Sequence, residues 1–172
     1  MHWDSLDREH CSLARALAVL GDRWTLMILR DAFMGVRRFD DFGESLGIAR
    51  RVLSERLAAL VEEGVLRKVA YQERPTRYEY KLTEKGFALY PVIISMVHWG
   101  DRFYAGESGP PVLHTHQTCG HDFRSVATCS ECGEALDARA VTLRPGPGAL
   151  KSAGRNRSKT GAIRRPPARR QA

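Results

Sequence analysis

FDDFGESLGIARRVLSERLAALVEEGVLRKVAYQERPTRYEYKL, residues 39–82, is the stretch whose reading decides the fold. Phe39 to Leu46 is short and amphipathic, and Leu46-Gly47-Ile48 supplies a tight, glycine-containing turn. The next segment, 49–63, spaces Leu53, Leu57 and Leu60 four and three apart, which is one face of a helix. At roughly 100° per residue, Arg51, Ser54, Glu55 and Ala58 fall on the opposite face and Arg50 on its flank. Gly64 is placed to end this helix. Two alternating runs follow, VLRKVAY and TRYEYKL, joined by Gln72-Glu73-Arg74-Pro75, and they predict a hairpin with charge at its tip. Helix, turn, helix and basic hairpin in that order is how a winged helix-turn-helix offers one helix and one hairpin to duplex DNA. A buried leucine stripe alone would not require paired arginines at the head of the exposed face, nor arginines beside the hairpin turn.

Helices are expected on both sides of this motif. Leu13, Leu17, Val19 and Leu20 mark a first helix ending at Gly21. Asp22 is placed to cap the next one, RWTLMILRDAF, which is apolar enough for the core. After the hairpin, Thr83 is an N-cap for TEKGFALYPVIISMVHWGDRFY, with a bend or restart expected at Pro91, which lacks an amide hydrogen. This last helix is apolar on nearly every side, more than one small domain covers, so a second copy of the chain is the expected partner. The fold class is thus mainly α with a small hairpin (α+β).

Charge is unevenly spread along the 172 residues. From Arg144 onward there are nine Lys or Arg and no acid, leaving 18 basic against 20 acidic groups in residues 1–143. The case for DNA therefore rests on where the arginines sit. The tail is rich in Gly, Pro, Ser and Arg and reads as disordered. Three parts are expected: 1–109 for DNA binding and dimerisation, 110–143 as a small module, and 144–172 as the basic tail. No apolar run approaches the ~20 residues of a membrane span, and the polar N-terminus is unlike a signal peptide. Four cysteines, three of them clustered with histidines, fit a reduced, cytoplasmic and nucleoid-associated protein.

The major groove admits a helix, and an arginine reads guanine through paired hydrogen bonds. Arg51 is the base-reading candidate, with Ser54 and Arg50 reading bases or holding phosphate. Arg37 and Arg38, ahead of the first motif helix, are candidates for backbone contact. In the wing, Arg74, Thr76 and Arg77 are placed to reach a minor groove or phosphates. Cys11, alone before the first helix, is a candidate redox sensor because the positive end of a helix favours a thiolate.

A second signal lies in the 110–143 module. His116-Gln117-Thr118-Cys119-Gly120 and Cys129-Ser130-Glu131-Cys132-Gly133 repeat one pattern, two ligands separated by two residues and followed by glycine. That is the spacing of a zinc knuckle, and two of them resemble a miniature zinc ribbon with one structural zinc per chain, held by His116, Cys119, Cys129 and Cys132. His114 and His121 remain rival nitrogen ligands. No nucleotide-binding loop, nucleophile elbow or metalloprotease motif is present in the sequence, and no enzymatic activity is expected.

Taken together, Cys11, residues 16–42, LSERLAALVEEGVLRK, RPTRYEYKLTEKG and LYPVIISMVHWG resemble, in order, the HxlR family of bacterial winged helix-turn-helix regulators over about residues 10–104. The resemblance implies a homodimeric transcriptional regulator, paired through its first and last helices and answering to an effector it does not identify. It places Arg50, Arg51 and Ser54 on the recognition helix and residues 74–77 on the wing. Ala49 departs from the Ser or Thr common at its position and leaves the recognition helix without a capping hydroxyl. Two alternatives stand beside this reading: a zinc-dependent RNA-binding or ribosome-associated protein, and a thiol redox enzyme using Cys129 and Cys132.

Overall fold

The computed structural model describes residues 10–149. They fall into two compact units, divided between Phe123 and Arg124. Most of the basic tail, 150–172, and residues 1–9 lie outside the described residues.

The first unit carries α1 (Ser12–Leu20), α2 (Arg23–Phe33), α3 (Phe39–Leu46), α4 (Arg50–Glu62), β1 (Leu66–Glu73), β2 (Thr76–Leu82), α5 (Glu84–Phe87) and α6 (Tyr90–Tyr104). Two short strands follow, β3 (Thr115–His116) and β4 (His121–Asp122). Asp22 starts α2 as expected, one carboxylate oxygen accepting from the N–H groups of Trp24 and Thr25 at 3.0 and 3.2 Å. The same oxygen accepts from Arg56 Nε at 3.0 Å, tying α4 to the start of α2. Ile28, Leu29 and Ala32 of α2, Phe42 of α3 and Leu53, Leu57 and Leu60 of α4 form the core with Val65, Leu66 and Leu82 beneath the hairpin. Truncating a wholly buried leucine such as Leu57 to alanine costs about 2–5 kcal/mol.

The end of α4 fixes where the hairpin begins. Gly64 takes φ +67°, its N–H donates to Val61 O at 3.0 Å, and Val65 N–H donates to Leu60 O at 2.9 Å. That crossed pair of bonds is a Schellman closure, and it turns the chain so that Val65 and Leu66 enter the core. Thr83 then caps α5 through Gly86 N–H at 3.1 Å and donates its hydroxyl to Gly64 O at 2.6 Å. A Cβ on Gly86 would stand 2.4 Å from Val65 O, so only glycine fits this crossing. The helix restarts at Tyr90 with Pro91 in its first turn, where a missing N–H is harmless.

The hairpin differs from the expected four-residue connection. Pairing runs from Leu66↔Leu82 out to Glu73↔Thr76, so Arg74-Pro75 alone turns the chain. The register slips between Ala70 and Gln72, and the slip absorbs Tyr71. Unforeseen, the segment before α3 joins the sheet: Tyr80 N–H donates to Arg37 O at 2.8 Å and Arg38 bridges Glu79.

The unit boundary lies beyond the expected end at 109. Within the first unit His98 of α6 packs edge-on against His114 and Phe123, ring centres 5.6 and 5.8 Å apart, which holds 110–123 with the helices. The second unit is a tight turn: Thr128 bridges Ala135, Cys129 N–H donates to Glu134 O at 2.8 Å, and a 3-10 turn follows at Ala138–Ala140. None of its described residues is buried.

Candidate nucleic-acid interface

α4 carries its apolar face inward and its arginines outward. Arg51 is 91% exposed, held by Glu55 one turn on at 2.9 Å, and Ser54 is exposed beside it. Arg50 pairs with Asp40 at 2.8 Å and lies over the Phe39 ring at 4.8 Å, so α3 sets its direction. These exposed pairs are worth little by themselves, about 0.2–1 kcal/mol each, and exchange readily for a phosphate. As the sequence implies, no side chain caps α4: Ala49 provides none. The first N–H groups of the helix therefore lack a side-chain partner from their own cap, and such a helix end favours an anion.

A cleft of about 390 Å³ joins this helix to the wing. Arg38, Arg50, Lys68, Thr76 and Arg77 line it together, so three of the expected arginines and Thr76 are brought to one surface. Arg38 stacks on Tyr71 at 4.6 Å, and Lys68 on Tyr78 at 4.0 Å. Lys68, Tyr71 and Tyr78 were missed in the sequence. Lys68 and Tyr78 could have been found from strand alternation, which puts them on one face; Tyr71 could not, because the slip re-aims it. Glu79 accepts from Lys81 at 3.0 Å, and that bond, with the Lys81 and Arg38 charges, holds its carboxyl below the usual range. Burial pushes the Tyr80 phenol up. Arg51, Ser54 and Arg74 are exposed but do not line the cleft. Arg37 is committed elsewhere: its guanidinium donates to the carbonyls of Ala32 and Val36, closing the end of α2.

The two cysteine-bearing turns are alike, each within its own unit. Gly120 N–H donates to His116 O at 2.7 Å, and Gly133 N–H donates to Cys129 O at 2.9 Å. The two glycines take φ +73° and +74°, a conformation open to residues without a Cβ. His116 Nδ1 lies 3.4 Å from Cys119 Sγ. The backbone N–H of Cys132 first, then that of Glu131 and the Cys132 thiol, favour the thiolate of Cys129 and lower its pKa. Among the described residues no group of three or more His, Cys, Asp or Glu is gathered as a metal site. His121 pairs with His116 across β3 and β4, and His114 stacks on Phe123. Cys11 is exposed at the N-cap of α1, a free thiol. On α6, Val92, Met96, Trp99 and Phe103 follow one face and are all exposed, as are Leu13 and Leu17 of α1. No helix among the described residues is long and apolar enough to cross a membrane.

Comparison with known proteins adds to this geometry. A family model described as HxlR-like helix-turn-helix matches residues 19–108. The uncharacterized HTH-type transcriptional regulator Rv3095 of Mycobacterium tuberculosis is 47% identical over 137 residues, covering 80% of this chain and 87% of that protein. A stretch of that length runs past Cys132, so the likeness takes in both cysteine-bearing turns. The solved structure of PA1607, described as a candidate transcription factor, is 34% identical with a TM-score of 0.74, covering 83% of this chain and 99% of its own. The redox regulator HypR in its reduced form is 29% identical with a TM-score of 0.51, covering 54% of this chain and 92% of its own.

Proposed function

The chain belongs to the HxlR-like helix-turn-helix family, and from that membership we propose how it works. It is a DNA-binding transcriptional regulator. α4 enters the major groove with Arg51 and Ser54 toward the base edges and Arg50 on the backbone, while Arg38, Arg74, Thr76 and Arg77 hold the adjoining strand or groove. The observation that carries this reading is the cleft that gathers Arg38, Arg50, Lys68 and Arg77 from helix and hairpin onto one surface. The likeness to HTH-type transcriptional regulators supports DNA as the partner and lends the RNA-binding alternative no support. Competition binding tests the assignment. Arg51→Ala should weaken specific binding by about 1–3 kcal/mol and relax one base position, whereas Arg77→Ala should weaken specific and random DNA alike. Equal losses for Arg51→Ala on both DNAs would reduce Arg51 to a phosphate contact.

The regulator acts as a homodimer in this proposal, supported by the exposed α6 face, on which Trp99 and Phe103 are each 57% exposed. Such a patch on a small protein calls for a partner, and self-pairing places two α4 helices on half-sites about one DNA turn apart. Met96→Glu should yield monomers in sedimentation; an unchanged sedimentation coefficient, or a wild-type monomer at micromolar concentration, would sink the dimer.

For the module, one zinc ion held by His116, Cys119, Cys129 and Cys132 is supported by donor chemistry. Two ligands on a tetrahedral zinc, with bonds of roughly 2.0–2.1 Å to nitrogen and 2.3 Å to sulfur, stand about 3.6 Å apart, and His116 Nδ1 and Cys119 Sγ are 3.4 Å apart. A segment without buried residues also needs something other than a core to order it. Zinc there would be structural, its ligands the chain's own four side chains. Cys11 is proposed as a redox-sensing thiol, supported by its exposure and by the likeness to a redox regulator. Cys11→Ser should abolish peroxide-induced release from DNA and keep basal binding, and an unchanged response would make the thiol structural.

A further inference from the structure

Arg50 and Arg51 stand side by side at the head of α4, yet their guanidinium groups are held differently. Arg50 gives Nη1 to Asp40 Oδ1 at 2.8 Å, so one prong of its terminal fork is taken. Arg51 gives Nε to Glu55 Oε1 at 2.9 Å. Among the described residues, neither Nη1 nor Nη2 of Arg51 has a partner. Its fork is open, on the exposed face of α4 turned from the core. Glu55 lies on that same face one turn on and is exposed as well, so it enters any groove together with Arg51. The DNA-binding account given above assigns it no part.

A carboxylate brought close to phosphates is repelled by them, and a helix built for affinity alone would not carry one there. An unpaired arginine as exposed as Arg51 swings freely and gains from any phosphate within reach, which favours all sequences alike. Glu55 changes both properties. Its charge offsets that of Arg51 and lowers the gain from phosphate, while its hold on Nε fixes the plane of the guanidinium. What remains open is the pair of Nη groups, and guanine presents O6 and N7 to such a pair of donors. Taking guanine in this way leaves the Glu55 bond in place, whereas Arg50 would first have to release Asp40.

We propose that Glu55 is a specificity-determining positioning residue: by holding Arg51 through Nε, it turns a general phosphate attractor into a reader of guanine. The proposal rests on the reading of α4 as the recognition helix. Glu55 touches no base in it and acts through Arg51.

Selection from a pool of random duplex DNA with the full chain, followed by titration of the enriched and random duplexes, tests the assignment. Wild type should enrich a motif containing a guanine that Arg51→Ala no longer selects. Glu55→Ala should bind random duplex severalfold tighter and lose most of a guanine preference that is about five- to hundredfold in wild type. Affinity and discrimination thus move in opposite directions, which the loss of a merely stabilising ion pair would not produce. Glu55→Gln keeps an acceptor for Nε without the charge, so it should retain the guanine preference while still gripping random duplex more tightly. On the Arg51→Ala background, Glu55→Ala should leave base preference unchanged. A guanine preference that survives in Glu55→Ala, or an equal weakening on every duplex with a lowered thermal midpoint, would overturn the proposal. Loss of the preference in Glu55→Gln as well would assign the effect to charge and overturn the positioning role. A motif shared by wild type and Arg51→Ala would show that Arg51 reads no base, overturning the proposal with DNA binding intact. The absence of any enriched motif in wild type is the separate failure of the recognition-helix reading and takes the proposal with it.

Discussion

Adding a hydroxyl at Ala49 should stabilise the protein, which is uncommon for a substitution at a helix that meets DNA. Ala49 is the N-cap of α4, with φ −59° and ψ 132°, and it is exposed. Its carbonyl already accepts the first helical bond, from Leu53 N–H at 3.0 Å. A serine there needs no backbone change and meets no buried neighbour. Its Oγ would accept from an N–H of the first turn, the service that Asp22 performs for α2 and Thr83 for α5. A capping hydroxyl in place of alanine is worth about 0.5–2 kcal/mol, typically about 1. At a urea slope of roughly 2 kcal/mol/M, Ala49→Ser should raise the unfolding midpoint by about 0.5 M with the slope unchanged. An unchanged or lowered midpoint at constant slope would show that the first-turn N–H groups are already satisfied, refuting the reasoning. A fall in DNA affinity together with the gain in stability would place a phosphate on those same groups.

Other consequences are as direct. Asp22→Ala removes the α2 cap and the Arg56 partner and should cost about 1–3 kcal/mol, whereas Arg56→Ala, losing only the half-exposed pair, should cost under about 1 kcal/mol; equal losses would mean the cap contributes nothing. Chelation, or Cys132→Ala, should unfold the cysteine module and leave the helical core folded, followed by near-UV and far-UV dichroism; well under one zinc per chain in protein purified without added metal would end the zinc proposal. Deleting residues 145–172 removes eight positive charges. Non-specific DNA binding should then weaken with a flatter salt dependence, and an unchanged slope would rule the tail out as a DNA contact.

What could be read in advance was whatever recurs at short range. The leucine spacing gave α4 within a residue at each end, and Asp22, Thr83 and Gly64 gave its neighbours' limits, because caps and periodic faces are local chemistry. The knuckle turns were legible for the same reason: the glycine that follows each ligand pair is what their shared backbone geometry demands. The hairpin was legible in existence and not in register, since the slip at Tyr71 is settled by pairing with Arg77 and Tyr78 rather than by the sequence around it. Long-range acts stayed hidden. Nothing near Arg37 announces that its carbonyl will join β2 or that its side chain will close α2. Nothing near His114 announces that His98 and Phe123 will hold it.

These hidden contacts explain how a chain with no net positive charge over residues 1–143 still presents a cationic surface. The acids are placed where they aim the arginines. Asp40 turns Arg50 toward the cleft, Glu79 holds Arg38 against Tyr71, and Glu55 lies beside Arg51. Each exposed pair is weak enough to be exchanged for phosphate, yet it limits the positions an arginine occupies before DNA arrives. Asp31 is the exception. It is deep in the core, and its carboxylate holds Arg30 rather than an arginine of the cleft.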